Sequence, residues 1–355
     1  MIPTLRFLVG LCPVFAFLGA LIAIDSFKLV RLRAVLQAII VGAVVAVICY
    51  IINSYLSSWS HLSHDSFSRY VSPIVEESFK ALYLVLLFRM GRIGFTVDAA
   101  IFGFAVGAGF AFTENIYYLK LIPDASQLTW VVRGFGTAAM HGGATAAVGI
   151  VTRTLLDRWG TRSIAAYFPG LGLAIGLHSL FNHFLLPPVV SAAVLLVLLP
   201  LIIIAVFNRS EAATTQWLGM GFDAEFELLE LITSDKVSHS YVGEYLENLR
   251  HRFPDDVVVD MLCYIHLRLE LVLQAKGALI VRQANMRIPA DPEIRDRFAE
   301  LEHLERRIGT TGKLAIMPFL RNSSRDLWQF YMLLEDDSRE SHSSHRRSLR
   351  SIFRR

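Results

Sequence analysis

The stretch Val71–Phe88, VSPIVEESFKALYLVLLF, reads as a membrane-spanning helix except that it contains two adjacent glutamates, Glu76 and Glu77. A charged side chain inside a bilayer costs at least a few kcal/mol, so such residues usually face the interior of a helix bundle. We therefore interpret this stretch as a membrane helix whose two carboxylates have a function inside the protein.

The composition of the chain is that of a membrane protein. Of its 355 residues, 54% are hydrophobic and only 18% are charged, and the mean hydropathy is +0.47. A net charge of +3 is too small to indicate a nucleic-acid partner. The expected partners are the lipid bilayer and another protein. The three cysteines lack the spacing of a disulfide framework or a zinc site.

Seven apolar runs approach or exceed the twenty or so residues that cross a bilayer. The first run lacks a good cleavage site for a signal peptide and is interpreted as a helix. The sequence thus predicts an all-α, polytopic membrane protein with about seven transmembrane helices in a domain of residues 1–207. The runs lie at 5–24, 34–52, 71–89, 97–119, 129–152, 163–186 and 189–207.

The distribution of lysine and arginine between the loops predicts the orientation of these helices. Loops on the cytoplasmic side of a membrane carry an excess of basic residues. Eight basic residues lie in one set of loops, which includes Lys28 and Arg162, whereas four lie in the set on the side of the N-terminus. The N-terminus is therefore expected outside and the C-terminal half in the cytoplasm.

Three other apolar runs carry ionisable residues of their own, namely Glu114, His141 and His178. The alternating directions of the helices place these groups and the glutamate pair in overlapping layers of the outer half of the membrane. We expect them to form one polar site.

The spacing of polar residues along each helix predicts which of them share a face. Lys80 follows Glu76 by four residues and can therefore neutralise its buried carboxylate. Asn182 follows His178 at the same spacing. Glycines at 103, 107 and 109 in the fourth run would allow a neighbouring helix to approach closely.

The C-terminal part of the chain is more polar. Residues 208–335 are expected to form a soluble, cytoplasmic helical domain, because apolar residues recur at helical spacing in several segments. Residues 336–355 form a basic tail that is predicted to be disordered. This tail either lies on anionic lipid or is simply solvated.

The motifs on these helices resemble those of the PrsW family of intramembrane proteases, which belongs to the clan of the CAAX prenyl endopeptidases. Glu76–Lys80 matches the EExxK motif, and Phe110–Asn115 matches FxxxE followed by asparagine. His141 resembles the histidine of the third motif, and His178 with Asn182 resembles the fourth. The resemblance covers residues of about 65–190, in the order of the family's motifs.

The resemblance implies an intramembrane endopeptidase that hydrolyses a membrane-anchored protein, such as an anti-sigma-like regulator, in a bacterial plasma membrane. The water would be activated by a glutamate, for which Glu76 is the expected base. Glu77 would be its partner, because two adjacent carboxylates in a low dielectric tend to share a proton. Lys80 would hold the charge and geometry of both.

The resemblance also assigns roles to the residues on the other three helices. Glu114 and His141 would position the water, and His178 with Asn182 would face the oxyanion. Phe110 and Asn115 would support the site.

We expect the protein to need no cofactor, and zinc is the alternative. Glutamate and histidine are both zinc ligands, so Glu76, Glu114, His141 and His178 are the candidate ligand set. However, the chain has no HExxH pair.

A proton- or ion-coupled transporter is the alternative function, since transporters also bury glutamate and histidine within a helix bundle. Such proteins more often show internal repeats or helices broken at mid-membrane. The sequence has no convincing repeat, and its polar layer is displaced toward the outside. These two features favour the protease.

Overall fold

The computed structural model describes residues 3–25, 27, 29–160, 163–234, 237–284, 286, 291, 293–320, 328–330 and 332–333. The described residues form helices and connecting segments, with no strand among them. The predicted all-α class is confirmed. The predicted basic tail, 336–355, lies outside the described residues, as do Lys28 and Arg162 from the count of loop charges.

Each of the seven predicted apolar runs is largely helical. The helices are α1 (Pro3–Ala23), α2 (Leu32–Trp59), α3 (His64–Ser66), α4 (Ser72–Arg89), α5 (Thr96–Leu121), α6 (Gln127–Val131), α7 (Ala138–Trp159), α8 (Tyr167–Asn182) and α9 (Pro188–Thr233). Two π-helical turns join neighbouring helices without a break: π1 (Phe67–Val71) precedes α4, and π2 (Val132–Thr137) precedes α7. The helices that follow are α10 (Tyr241–Leu249), α11 (Asp255–Gln283) and α12 (Ile294–Ala315), with 3-10 turns at Ile164–Ala166, Val237–His239 and Met317–Phe319.

Five helical segments among the described residues are long and apolar enough to cross a membrane: Arg6–Ala23, Leu32–Trp59, Thr96–Leu121, Ile164–Asn182 and Pro188–Thr233. The helices α4 and α7 are not among them. Within α4, Glu76, Glu77, Lys80 and Arg89 interrupt the apolar sequence. A seven-span topology therefore stays a prediction for these two helices.

The chain divides into two compact units. The first comprises Met1–Arg89 with Ile93–Ala212, and the second comprises Met90–Arg92 with Ala213–Arg355. The sequence predicted a domain boundary after residue 207, and this boundary stays a prediction. The last apolar run is longer as a helix than the sequence indicated, since α9 continues through that position to Thr233.

In the first unit, α5 is the central helix, and its residues from Val97 to Ala111 are buried. The helices α2, α5, α7, α8 and α4 contact one another in that order, and α4 also contacts α2, so the five form a closed ring. Asp98 caps the first turn of α5. Its carboxylate accepts hydrogen bonds from the backbone N–H groups of Gly94 and Phe95, each at 2.8 Å.

The glycines of α5 permit very close helix packing, as the sequence predicted. A Cβ atom at Gly103 would overlap the backbone of α7 at Thr145, and one at Gly107 would overlap the carbonyl of His141. A Cβ atom at Gly109 would overlap the carbonyl of Ile39 in α2. These contacts set the separation of the helices that carry the polar residues.

Replacing Gly107 by alanine should separate α5 from α7 at the position of His141. We expect a loss of about 1–3 kcal/mol in stability, because backbone atoms cannot rotate away from the added methyl group. The measurement is thermal unfolding of the purified protein in detergent. Gly172→Ala is the control, since a Cβ atom there meets nothing within 4 Å. Equal melting temperatures for the two variants would contradict the packing argument.

In the second unit, α11 supplies much of the buried surface. Met261, Ile265, Leu271 and Leu279 are fully buried along it. Lys276 is also buried and forms an ion pair of 2.6 Å with Glu225 of α9. A buried lysine needs such a partner, because an unpaired charge in a protein interior is costly.

Candidate active site

The ring of five helices encloses a cluster of polar side chains. The sequence-predicted residues that meet there are Glu76, Glu77 and Lys80 of α4, Phe110 and Glu114 of α5, His141 of α7 and His178 of α8. The expectation of one polar site within the bundle is therefore supported by direct contacts between side chains of four helices.

The ion pair of Lys80 is with Glu77 rather than Glu76. The Nζ atom of Lys80 lies 2.6 Å from Oε1 of Glu77, and both side chains are fully buried. The sequence paired Lys80 with Glu76, four residues before it, but a helical residue is also adjacent to the residue three positions away. Phe110 covers the ammonium group, with its ring centroid 4.2 Å from Nζ.

His141 lies between Lys80 and Glu114. Its Nδ1 atom is 3.0 Å from Nζ of Lys80, and its Nε2 atom is 3.0 Å from Oε2 of Glu114. An ammonium group can only donate, so Nδ1 must accept its hydrogen bond. The remaining proton of a neutral imidazole is then on Nε2, which donates to the carboxylate. Both nitrogens of His141 are thus engaged.

His178 links the two adjacent glutamates. Its Nδ1 atom lies 2.8 Å from Oε1 of Glu77, and its Nε2 atom lies 3.9 Å from Oε2 of Glu76. With Nδ1–H donating to Glu77, Nε2 presents its lone pair toward Glu76. A carboxylate that orients an imidazole in this way is a common arrangement in sites that transfer protons.

The other oxygen of Glu76 is held by two residues that the sequence reading missed. Ser72 donates to Oε1 at 2.6 Å, and Nδ2 of Asn53 donates to the same atom at 3.2 Å. Asn53 also donates to Ser72 at 2.9 Å. Ser72 precedes Glu76 by one helical turn, a spacing that could have identified it, but nothing local in α2 points to Asn53.

Arg133 is a third residue that the sequence reading did not assign to the site. It was counted only as a loop charge, whereas it lies in π2 with its side chain 15% exposed. Its Nη2 atom is 3.4 Å from Oε1 of Glu114, and its guanidinium lies 3.6 Å from the ring centroid of Tyr118. The guanidinium balances the charge of Glu114 on the side opposite to His141.

The two asparagines of the predicted motifs make their hydrogen bonds outside this cluster. Asn115 accepts from Nε of Arg133 at 3.0 Å and donates to the carbonyl of Gly10 at 2.8 Å. Asn182 donates to the carbonyl of Ser68 at 3.0 Å. Asn115 therefore contacts the site through Arg133. The predicted supporting role of Asn115 and the predicted oxyanion role of Asn182 stay predictions.

Three of the side chains are placed to hold a metal ion. Ligand atoms of Glu76, His141 and His178 all lie within 4.8 Å of one another. Glu77 would orient His178 from behind, as carboxylates often do for metal-binding histidines. His141 fits less well, because it would have to release Lys80 or Glu114 to join. Glu114, the fourth predicted ligand, is not a member of this group, and its carboxylate contacts His141 and Arg133.

The helices that form the cluster lie within a segment that matches a known protein family. Residues 31–207 match the family model described as PrsW family intramembrane metalloprotease. The matched segment contains every helix that contributes a side chain to the cluster. No curated protein and no solved structure matches the chain. The chain therefore belongs to the PrsW family of intramembrane proteases, and its family domain spans residues 31–207.

Proposed function

We propose that the protein hydrolyses a peptide bond of a membrane-anchored protein, with Glu76 as the base that activates water. The observation that carries this proposal is the geometry of the Glu76 carboxylate. One of its oxygens accepts hydrogen bonds from Ser72 and Asn53, and the other faces His178 at 3.9 Å. That separation is too long for a hydrogen bond but can be bridged by a water molecule that contacts both side chains.

The proton inventory of hydrolysis fits these two side chains. Glu76 removes a proton from the water, and the hydroxide formed adds to the carbonyl carbon of the scissile bond. As the carbon–nitrogen bond breaks, the leaving nitrogen takes up the same proton, either from Glu76 directly or through Nε2 of His178. The products are a carboxylic acid and an amine, and both side chains return to their starting states.

The contacts of Glu76 set it apart from the other two carboxylates. Lys80 contacts Glu77, and Arg133 contacts Glu114. Glu76 instead contacts Ser72 and Asn53 and faces His178. Glu76 is therefore the carboxylate that can take up a proton without giving up a contact with lysine or arginine.

A metal ion is the alternative to a metal-free site. If zinc were bound, Glu76, His141 and His178 would hold it, and Glu77 would orient His178. The bound ion would act as a Lewis acid that lowers the pKa of its water. The contact of Lys80 with His141 favours a metal-free site, because a buried ammonium group lies 3.0 Å from Nδ1 of this candidate ligand and would repel a dication nearby.

Purified protein, stripped with a strong chelator and assayed in detergent on a fluorogenic membrane-spanning peptide, tests both readings. We expect the stripped protein to cleave the peptide, because Glu76 supplies the base. Loss of cleavage on stripping, followed by full recovery with one equivalent of zinc, would instead establish the metal site. The control is protein carried through the same procedure without chelator.

The transporter is the second candidate, since a buried carboxylate with histidines can also carry protons. The transporter would be supported by ion flux through protein reconstituted in liposomes, in the absence of any proteolysis. The family match favours the protease.

We further propose that the N-terminus lies outside the membrane and the residues after Arg209 lie in the cytoplasm of a bacterial cell. A reporter enzyme fused after Arg209 should then be active only inside, and one inserted near Leu62, between α2 and α3, only outside. The expectation rests on the excess of basic residues in one set of loops. The opposite pattern would place the active site nearer to the cytoplasmic face.

A further inference from the structure

Pro73 lies inside a helix that runs without interruption from His64 to Arg89, one turn before the glutamate pair. A proline has no N–H group to donate. In an α-helix, the carbonyl of Arg69, four residues back, would therefore lack the N–H of residue 73 as its donor. In a π-helix, the carbonyl of Ser68, five residues back, would lack it. The turn just before this position is π1, at whose end the N–H of Ser72 bonds to the carbonyl of Phe67.

The end of α8 provides donors to the two carbonyls that Pro73 cannot serve. Nδ2 of Asn182 donates to the carbonyl of Ser68 at 3.0 Å, and Oγ of Ser179 donates to the carbonyl of Arg69 at 2.7 Å. The positions of these two side chains, three residues apart, match the positions of two successive carbonyls along π1. In membrane helices, side chains of neighbouring helices can satisfy the backbone groups that a proline leaves without a partner.

The state of π1 determines where the glutamates point. Each residue of an α-helix turns the chain by about 100°, so the extra residue of a π turn changes the direction of all side chains after it relative to those before it. The same two helices, α4 and α8, also meet at the contact of Glu77 with His178, at 2.8 Å. Two separate contacts thus hold one end of α8 against π1 and the start of α4.

We propose that Asn182 and Ser179 are positioning residues that keep π1 in its π-helical form and thereby direct Glu76 and Glu77 into the site. This inference rests on the proposed role of Glu76 as the base. In it, Asn182 acts through the backbone of α4 and does not touch the substrate.

Separate alanine variants of the two residues test the inference kinetically. Asn182→Ala and Ser179→Ala should each lower kcat, by up to about 10²-fold, and leave KM nearly unchanged, because a small displacement of a reacting group is costly to the chemical step. Thr154→Ala is the control, since its hydroxyl donates to the carbonyl of Ile150 within its own helix. If Asn182 instead donates to the oxyanion, Asn182→Ala should lower kcat while Ser179→Ala remains as active as the control.

Hydrogen exchange provides a readout that does not depend on activity. The amides of residues 67–78 should exchange faster in both the Asn182→Ala and the Ser179→Ala protein than in the Thr154→Ala protein. Unchanged exchange in the first two variants would overturn the inference, even where activity is lost. Because exchange reports on the backbone of π1 and of the start of α4 and not on catalysis, an error in the role of Glu76 would leave this result intact. That error would show separately, as cleavage by the Glu76→Gln protein.

Discussion

Glu76→Gln should abolish peptide cleavage while the protein still folds and binds its substrate. Glutamine keeps the shape of the side chain and can still accept hydrogen bonds from Ser72 and Asn53 at one oxygen. It cannot remove a proton from water. Since general base catalysis contributes about 10²–10⁴-fold, we expect kcat to fall by that factor. The measurement is the initial rate on the fluorogenic membrane peptide.

The matched control is Glu227→Gln, the same change at an exposed position of α9, which should keep full activity. An unchanged rate in the Glu76→Gln protein would transfer the role of the base to Glu77 or Glu114. The transporter would be supported instead if the unchanged protein showed no proteolysis but carried ions across liposome membranes, and if Glu76→Gln abolished that ion flux.

Lys80→Met should destabilise the first unit by about 3–5 kcal/mol, the usual effect of removing one partner from a buried ion pair. Glu77, which is fully buried, would then keep only its contact with His178. Methionine has a similar length and can fill the space against Phe110, so the loss arises from charge rather than from a cavity. The measurement is unfolding of the purified protein in detergent, monitored as the loss of helical structure.

The double variant Lys80→Met/Glu77→Gln should recover most of this stability, because it removes the unpaired charge, but it should remain inactive. Lys313→Met is the control for a lysine in an exposed ion pair, here with Glu305, and should cost less than about 1 kcal/mol. A Lys80→Met protein as stable as this control would mean that the charge on Lys80 does not stabilise Glu77.

Much of the candidate site could be predicted from local sequence. The EExxK, FxxxE and HxxxN spacings identified Glu76, Glu114 and His178, because short motifs on apolar helices stand out from their surroundings. The glycines of α5 similarly indicated the close contacts with α2 and α7, which the structure has at Gly107 and Gly109. The sequence analysis did not assign Asn53 or Arg133 to the site. Asn53 reaches Glu76 from α2, and Arg133 reaches Glu114 from π2.

The sequence by itself determined the helical membrane class, the family and most of the ionisable residues that meet in the cluster, since each depends on the length and composition of single segments. The tertiary structure decided which atoms meet: Lys80 pairs with Glu77, and Asn182 contacts the backbone of π1. Those pairings depend on how each helix is rotated about its axis. That rotation is set by packing between distant segments, such as the contact of Gly107 with His141, and by the π turn that precedes Pro73. Local spacing along one helix does not specify either of them.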